Sequence, residues 1–446
     1  MTKSLPTLGG LWKTGSIYLI SFWLNSALPL LLTPVLTRYL SPSDYGVSAM
    51  WQVLLSFTIP VVGLSTHAAI NRRYFQKNAD PAQHHADMRD YIASIFPILA
   101  GTSLLVIVAY VLTYPLIIRY LLPTSAIWVL TVPAVAIATF LYNATLSYLN
   151  AEMRAKAYAV LNNGHVLATS LIAILFVVGL GWNWQGRVMG AILGMTLAAT
   201  ASMIYLWRRG LLGGRIRRDM AMHAMLFSLP LLPHILTIMV RGVSDRVFLS
   251  QIADLHEIGL FSVALAMAGI FNILGNAAMQ AWIPWLYAHL GADKVDRVKI
   301  VKITYAAIAA IASLGILFAV LAPFLFGSIL GPRFDESAKY IWWLTGAAVL
   351  QGAYYFLVPY IAYVERNKYS SYISMGTLGV NLLLNFVLIY FFGVMGVAAA
   401  NFFTALYEFI AVFIVANYCM PMPWVSFFYR TAPALSSADN QGGGGS

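Results

Sequence analysis

Twelve apolar runs, each about twenty residues or longer, follow one another along this chain with only short polar breaks between them. A run of that length matches the ~30 Å hydrocarbon core of a bilayer, which a helix of roughly 20 residues crosses. Inside lipid only helices and closed barrels satisfy their backbone donors and acceptors. Barrel strands alternate apolar and polar residues over ~10 positions, whereas these runs are continuous and twice as long. The predicted class is therefore an all-α polytopic membrane protein of twelve transmembrane helices. The spans are placed at 14–37, 46–69, 91–118, 124–148, 158–180, 187–207, 223–248, 258–288, 301–329, 337–363, 371–391 and 394–419. Only 10% of the 446 residues are charged, against about 25% in a soluble domain.

Charge then orients the chain. With both termini in the cytoplasm, 20 of the 27 Lys and Arg residues fall on the cytoplasmic side. The other side holds only Arg38, Arg119, Arg187, Arg241, Arg246, Arg333 and Lys339. This asymmetry obeys the positive-inside rule, and it explains a net charge of +11 without any nucleic-acid partner. The N-terminal run carries Lys3 and Lys13 and no small-residue cleavage site, so it is expected to be a retained first helix rather than a signal peptide. The expected location is the bacterial inner membrane. Cys419 is the only cysteine, which excludes an intrachain disulfide and a cysteine-type zinc cluster. No G-x-x-x-x-G-K-[ST] motif is present, so ATP hydrolysis by the chain is not expected. The longest external connection, near 329–337, is too short to organise an enzyme's donor and acceptor. No catalytic residues, no metal and no cofactor are expected.

The two halves repeat. At an offset of 212 residues Tyr142 matches Tyr354, Tyr148 matches Tyr360, Arg154 matches Arg366, Lys156 matches Lys368 and Gly181 matches Gly393. Earlier, R-Y-L-S at Arg38–Ser41 resembles R-V-F-L-S at Arg246–Ser250, and Gly46 resembles Gly259. Six spans per half give a parallel repeat, the layout of transporters with a central site between two bundles. The expected organisation is an N-terminal six-helix lobe (1–210), a basic cytoplasmic connector (211–222), a C-terminal six-helix lobe (223–430) and a tail (431–446) ending in a linker-like G-G-G-G-S.

Three segments carry a family resemblance: L-T-R-Y-L-S-P-S-D-Y-G after span 1, N-A-E-M-R-A-K-A-Y after span 4, and V-E-R-N-K-Y followed by N-L-L-L-N-F-V-L-I-Y-F-F-G-V-M-G-V-A-A-A-N up to Asn401. Together they resemble the Wzx-type O-antigen and polysaccharide flippases of the MOP (MATE-like) superfamily. The resemblance covers residues 10–420. It implies a V-shaped pair of lobes and a cationic lumen. The cargo it implies is an undecaprenyl-pyrophosphate-linked glycan, moved from the cytoplasmic to the periplasmic leaflet by alternating access. Further partners would be membrane lipids, H⁺ or Na⁺, and polysaccharide-assembly proteins. The alternative within the superfamily is a MATE-like exporter of cationic drugs.

Charged residues inside spans are costly and face a bundle interior or water. Span 7 ends in V-R-G-V-S-D-R-V-F-L. Arg241 and Asp245 are four apart and share a face, with His234 seven before Arg241, while Arg246 is turned ~100° from Asp245. Arg241 is expected to bond phosphate through its planar fork, or else to pair with Asp245. Arg246 either joins the lumen or reaches outward to the membrane surface. Glu408, in the middle of span 12, has no Lys or Arg in its span. It is expected either to load H⁺ or Na⁺, with Asp245 as a second coupling candidate, or to stay protonated against a neighbouring helix. Arg38, Arg72, Arg73, Arg154 and Lys13 complete the substrate-binding candidates; each also satisfies topology alone. Thr377, Asn381 and Asn385 form a polar stripe on span 11 that suits interhelical packing.

Overall fold

A computed structural model describes residues 8–76, 81–291, 296–366 and 368–424. The side chains of Lys13 and His234, and the tail 431–446, lie outside what it describes.

The chain is helical throughout the described residues. In order these are α1 (Leu8–Tyr39), α2 (Pro42–Val61), α3 (His67–Phe75), α4 (Pro81–Tyr120), α5 (Ala126–Ala151), α6 (Ala155–Ile174) and α7 (Trp184–Arg208), then α8 (Arg218–Ser228), α9 (Leu232–Leu249), α10 (Leu255–Ala268), α11 (Ile270–Leu290), α12 (Arg297–Leu330), α13 (Ile341–Tyr363) and α14 (Lys368–Cys419). Nine described helical segments are long and apolar enough to cross a membrane. That number differs from twelve partly because one segment is counted once while doing the work of two. As a straight rod the 52 residues of α14 would reach ~78 Å at 1.5 Å per residue. Instead the chain reverses at Gly393, whose φ of 56° and ψ of −135° only glycine adopts freely. Asn381 bonds Thr404 across the reversal, and a methyl group on Gly396 would overlap the Leu388 carbonyl. The two arms are therefore an antiparallel hairpin.

Other spans are broken inside their expected limits. Span 2 is divided by the turn Val62–Ser65, span 7 by the turn Leu229–Leu231, and span 8 at Gly269. Helix α8 begins at Arg218, within the expected connector 211–222, and packs against α4 and α3. The cause is local. Ser94 Oγ accepts the Arg217 N–H at 2.8 Å and Asp90 accepts the Arg215 N–H at 2.8 Å, which straps the basic segment to α4 and starts the helix early.

The repeat is geometric as well as sequential. Gly181 and Gly393 both have positive φ, 69° and 56°. Met153 and Glu365, again 212 apart, both take the left-handed conformation that side chains rarely adopt, at 56° and 58°. Helices α2 and α10 open alike: Ser41 caps the Asp44 N–H and Asp254 caps the Glu257 N–H. These equivalent helices cross each other. A methyl group on Gly46 would overlap the Leu255 carbonyl, and one on Gly259 the Pro42 carbonyl. Backbone thus meets backbone at a point where the two repeats are related, and this seals the halves together at the end carrying Ser41 and Asp254.

The outer surface is apolar. Leu105 and Leu112 on α4 are 71% and 73% exposed, and Tyr390 on α14 is 84% exposed. Leaving such side chains in water forfeits ~25 cal/mol per Å² of apolar surface, so this belt is the lipid-facing one.

Candidate functional site

Beneath the α2–α10 crossing lies a cavity of about 490 Å³. The first half supplies its walls from α1, α2, α6 and α7; the second half supplies α9, α10 and the start of α11. Two guanidinium groups face it, Arg187 from the first turn of α7 and Arg246 from α9. Arg187 donates to Ser48 Oγ at 3.1 Å and stacks over the Tyr45 ring at 3.8 Å. Arg246 donates from Nε to Ser262 Oγ at 3.3 Å. Among the described residues neither has a carboxylate at ion-pair distance, and no Asp or Glu lines the cavity. Two guanidinium groups without an ion-pair partner in one cleft are costly; the neighbouring Asp245 charge acts on Arg246, and a multiply charged anion offsets the cost that is left. Planar forks suit phosphate oxygens in particular.

The expected stripe on α9 goes elsewhere. Arg241 does not line the cavity. Its Nη1 donates to Glu408 Oε1 at 3.0 Å, its Nη2 donates to the other Glu408 oxygen, and the same Nη2 donates to Gln351 at 2.9 Å. Asp245, 5% exposed, accepts from Asn401 at 2.9 Å and from Asn385 at 3.3 Å. Ser244 donates to Asn381 at 2.8 Å. The polar groups of α9 therefore bond into the second half, against the α14 hairpin and α13, while the Arg241 side chain keeps 31% of its surface exposed. The hairpin presents Asn381, Asn385, Asn401 and Glu408 on one side, and apolar helices would leave all of them unpaired. Glu408 does have a cationic partner, and it comes from a helix more than 150 residues away in sequence, which no reading of its own span could reveal. Arg246, on the next face of α9, is the member of the group that reaches the cavity.

The remaining candidates are held near the helix ends. Arg38 donates to the Ser328 carbonyl at 3.4 Å, at the sealed end. Arg72 lies over the Phe227 ring at 5.0 Å. Arg73 grips Asp87 through two bonds of 2.9 and 2.7 Å. Arg154 pairs with Glu152 at 3.0 Å, and Glu152 also binds Arg209. None of these four lines the cavity. Arg187 was missed by the sequence reading, which counted it only as an external charge. The available signal was its place at the start of an otherwise apolar span, in G-R-V-M-G-A.

Residues 11–289 match the family described as polysaccharide biosynthesis protein. The Lsg locus protein 1 of Haemophilus influenzae is 22% identical over 372 residues, which cover 82% of this chain and 88% of that protein. Among solved structures, the lipid II flippase MurJ in an inward closed conformation superimposes with a TM-score of 0.70 at 12% identity, covering 89% of this chain and 87% of that one. An inward-facing multidrug resistance MATE family transporter of the MOP superfamily superimposes with a TM-score of 0.66 at 13% identity, covering 88% and 95%. At these identities the two structures establish a shared fold.

Proposed function

The chain belongs to the polysaccharide biosynthesis protein family, and on that premise we propose that it is a flippase for an undecaprenyl-pyrophosphate-linked oligosaccharide, an O-antigen or exopolysaccharide repeat unit. The observation that carries the reading is the cavity between the two halves, with Arg187 and Arg246 facing it and no carboxylate in its lining. The pyrophosphate would sit between the two guanidinium groups, each able to bond two oxygens. A cationic drug would meet two positive charges there, which disfavours the exporter alternative.

Movement would be alternating access. The α2–α10 crossing closes one end, and rocking of the two lobes about the cavity would exchange which end is closed. By the excess of Lys and Arg at the opposite end, the sealed end is the periplasmic one and both termini are cytoplasmic. On this reading the protein would receive its cargo from the cytoplasmic leaflet of the inner membrane. Directionality would come from H⁺ or Na⁺ at Asp245, where Asn385 Oδ1 is buried without a hydrogen-bond partner beside the carboxylate. Glu408 is the weaker coupling candidate, because Arg241 already satisfies its charge.

The test is deletion of the gene in its native host with complementation. Loss of surface polysaccharide, accumulation of lipid-linked repeat units on the cytoplasmic side, and failure of Arg187→Ala and Arg246→Ala at normal protein levels are the expected results. Unchanged polysaccharide with no lipid-linked intermediate would overturn the reading.

A further inference from the structure

A second, chemically different pocket lies in the first half of the chain. It measures about 270 Å³ and is lined by His67 and Asn71 of α3, Asn143, Ser147 and Asn150 of α5, and Tyr158 of α6, with one apolar wall. No charged side chain faces it. Four of its hydrogen-bonding side chains, Asn71, Asn143, Ser147 and Asn150, make no side-chain hydrogen bond among the described residues. His67 Nδ1 is buried and also has no partner. Asn71, Asn143 and Ser147 are half-buried and Asn150 is exposed, so their bonding capacity is left to whatever fills the pocket, while the buried His67 nitrogen, left unsatisfied, costs about 1–3 kcal/mol. The C-terminal hairpin shows how this protein packs asparagines when packing is the purpose: Asn381, Asn385 and Asn401 all bond within the bundle.

The pocket and the cationic cavity are both lined by α6. Tyr158, Asn162, His165 and Thr169 recur at spacings of four, three and four on α6, one face of one helix. Tyr158 lines the pocket, while His165 and Thr169 line the cavity. Between them Tyr142 donates to Asn162 at 2.7 Å and lies against the His165 ring at 5.1 Å. Thr169 Oγ1 is buried without a partner. From Tyr158 to His165 the helix rises ~10 Å, the reach of a short saccharide. The pocket and the cavity thus lie about two turns apart along α6, with the Tyr142–Asn162 hydrogen bond between them.

We propose that this α3–α5–α6 pocket is the saccharide subsite, and that it takes an uncharged sugar of the head group while the diphosphate sits at Arg187 and Arg246. Carboxamides can each donate and accept, matching the hydroxyl pairs of a sugar ring, and Tyr158 and His67 offer ring faces or edges. The inference rests on the flippase reading but is separable from it. Specificity for the glycan then resides in Asn71, Asn143, Ser147 and Asn150, and affinity for every cargo resides in the arginines.

The experiment is calorimetric titration of the purified full chain in detergent. The probes are farnesyl pyrophosphate alone and farnesyl pyrophosphate carrying glucose, galactose, N-acetylglucosamine or N-acetylgalactosamine. At least one sugar-bearing probe is expected to bind about tenfold more tightly than the bare one, the margin of a few net hydrogen bonds. Asn143→Ala with Asn150→Ala should erase that margin and leave the bare probe within about twofold. Asn143→Phe, which fills the pocket, should do the same where smaller changes are absorbed. The subsite is overturned by any result in which no sugar adds affinity, or in which the margin survives both variants. Loss of all binding on Arg187→Ala with Arg246→Ala supports the phosphate assignment. Indifference to that pair overturns the assignment while leaving the sugar margin to be judged separately.

Discussion

Arg241 and Arg246 stand five residues apart on α9 and have opposite fates. Arg246 enters the cavity with a serine as its hydrogen-bond partner, and Arg241 is consumed by Glu408 and Gln351 inside the second half. The same contrast holds between the halves. The first presents Arg187, His165 and the unbonded asparagines to open space, while the second ties Asp245, Asn381, Asn385, Asn401 and Glu408 into one network. A side chain whose capacity is already filled holds helices together; one whose capacity is open is available to a ligand. Intramembrane charge alone does not separate the two cases, because both kinds satisfy the rule that ionisable groups avoid lipid.

The largest effect should come from the open side. Removing both Arg187 and Arg246 deletes two charge-assisted contacts of ~1.5–3 kcal/mol each, so the double alanine variant should weaken binding of farnesyl pyrophosphate by more than 100-fold. Titration of the purified protein measures it, and an affinity within tenfold of wild type would erase the distinction drawn above.

The seal between the halves comes next. A leucine at Gly259 cannot fit against the Pro42 carbonyl, so Gly259→Leu should hold the α2–α10 crossing open. In a Cys419→Ser background with a reporter cysteine at Ser48, a membrane-impermeant maleimide added from outside the cell should label this variant several-fold faster than its parent. Equal rates would mean that the crossing is not the gate.

On the closed side the effect falls on stability. Glu408 is 3% exposed, and neutralising it leaves the Arg241 guanidinium without its counter-charge. Glu408→Gln should cost ~1–3 kcal/mol, and Arg241→Met with Glu408→Met should recover most of it, since an apolar pair can replace a largely buried ion pair. Thermal unfolding in detergent compares the single and double variants. If the double variant is as unstable as the single one, the bridge is not what Glu408 provides.

The smallest effect sharpens the comparison. The same methionine pair should bind farnesyl pyrophosphate within twofold of wild type, because neither residue lines the cavity. A tenfold loss in titration would return Arg241 to the binding site.

The fold class was legible because a bilayer imposes length and apolarity on every segment that crosses it, and composition alone records that. The repeat was legible too, since Gly46 and Gly259, or Gly181 and Gly393, are kept by backbone conformations and close approaches that other residues cannot supply. The breaks at Val62–Ser65 and Leu229–Leu231 were legible only in part, because Gly63 and Pro230 permit a break without fixing how the chain turns there. Of the site residues, Arg246 was named without its role being fixed, Arg187 was passed over, and the unbonded asparagines of α3 and α5 left no mark in a span-by-span reading.

The sequence by itself determined that this chain lives in a membrane, that it consists of two related halves, and that Lys and Arg gather at one end. Those properties are set by local free energies of transfer and by backbone conformation, which neighbouring residues already encode. Tertiary structure alone decided which charges are free. Arg241 finds its carboxylate 167 positions away, whereas Arg246 and Arg187 face a space bounded by helices from both halves. Whether a polar group is satisfied depends on what lies opposite it in three dimensions, and helical spacing fixes the direction a side chain points but not what it meets.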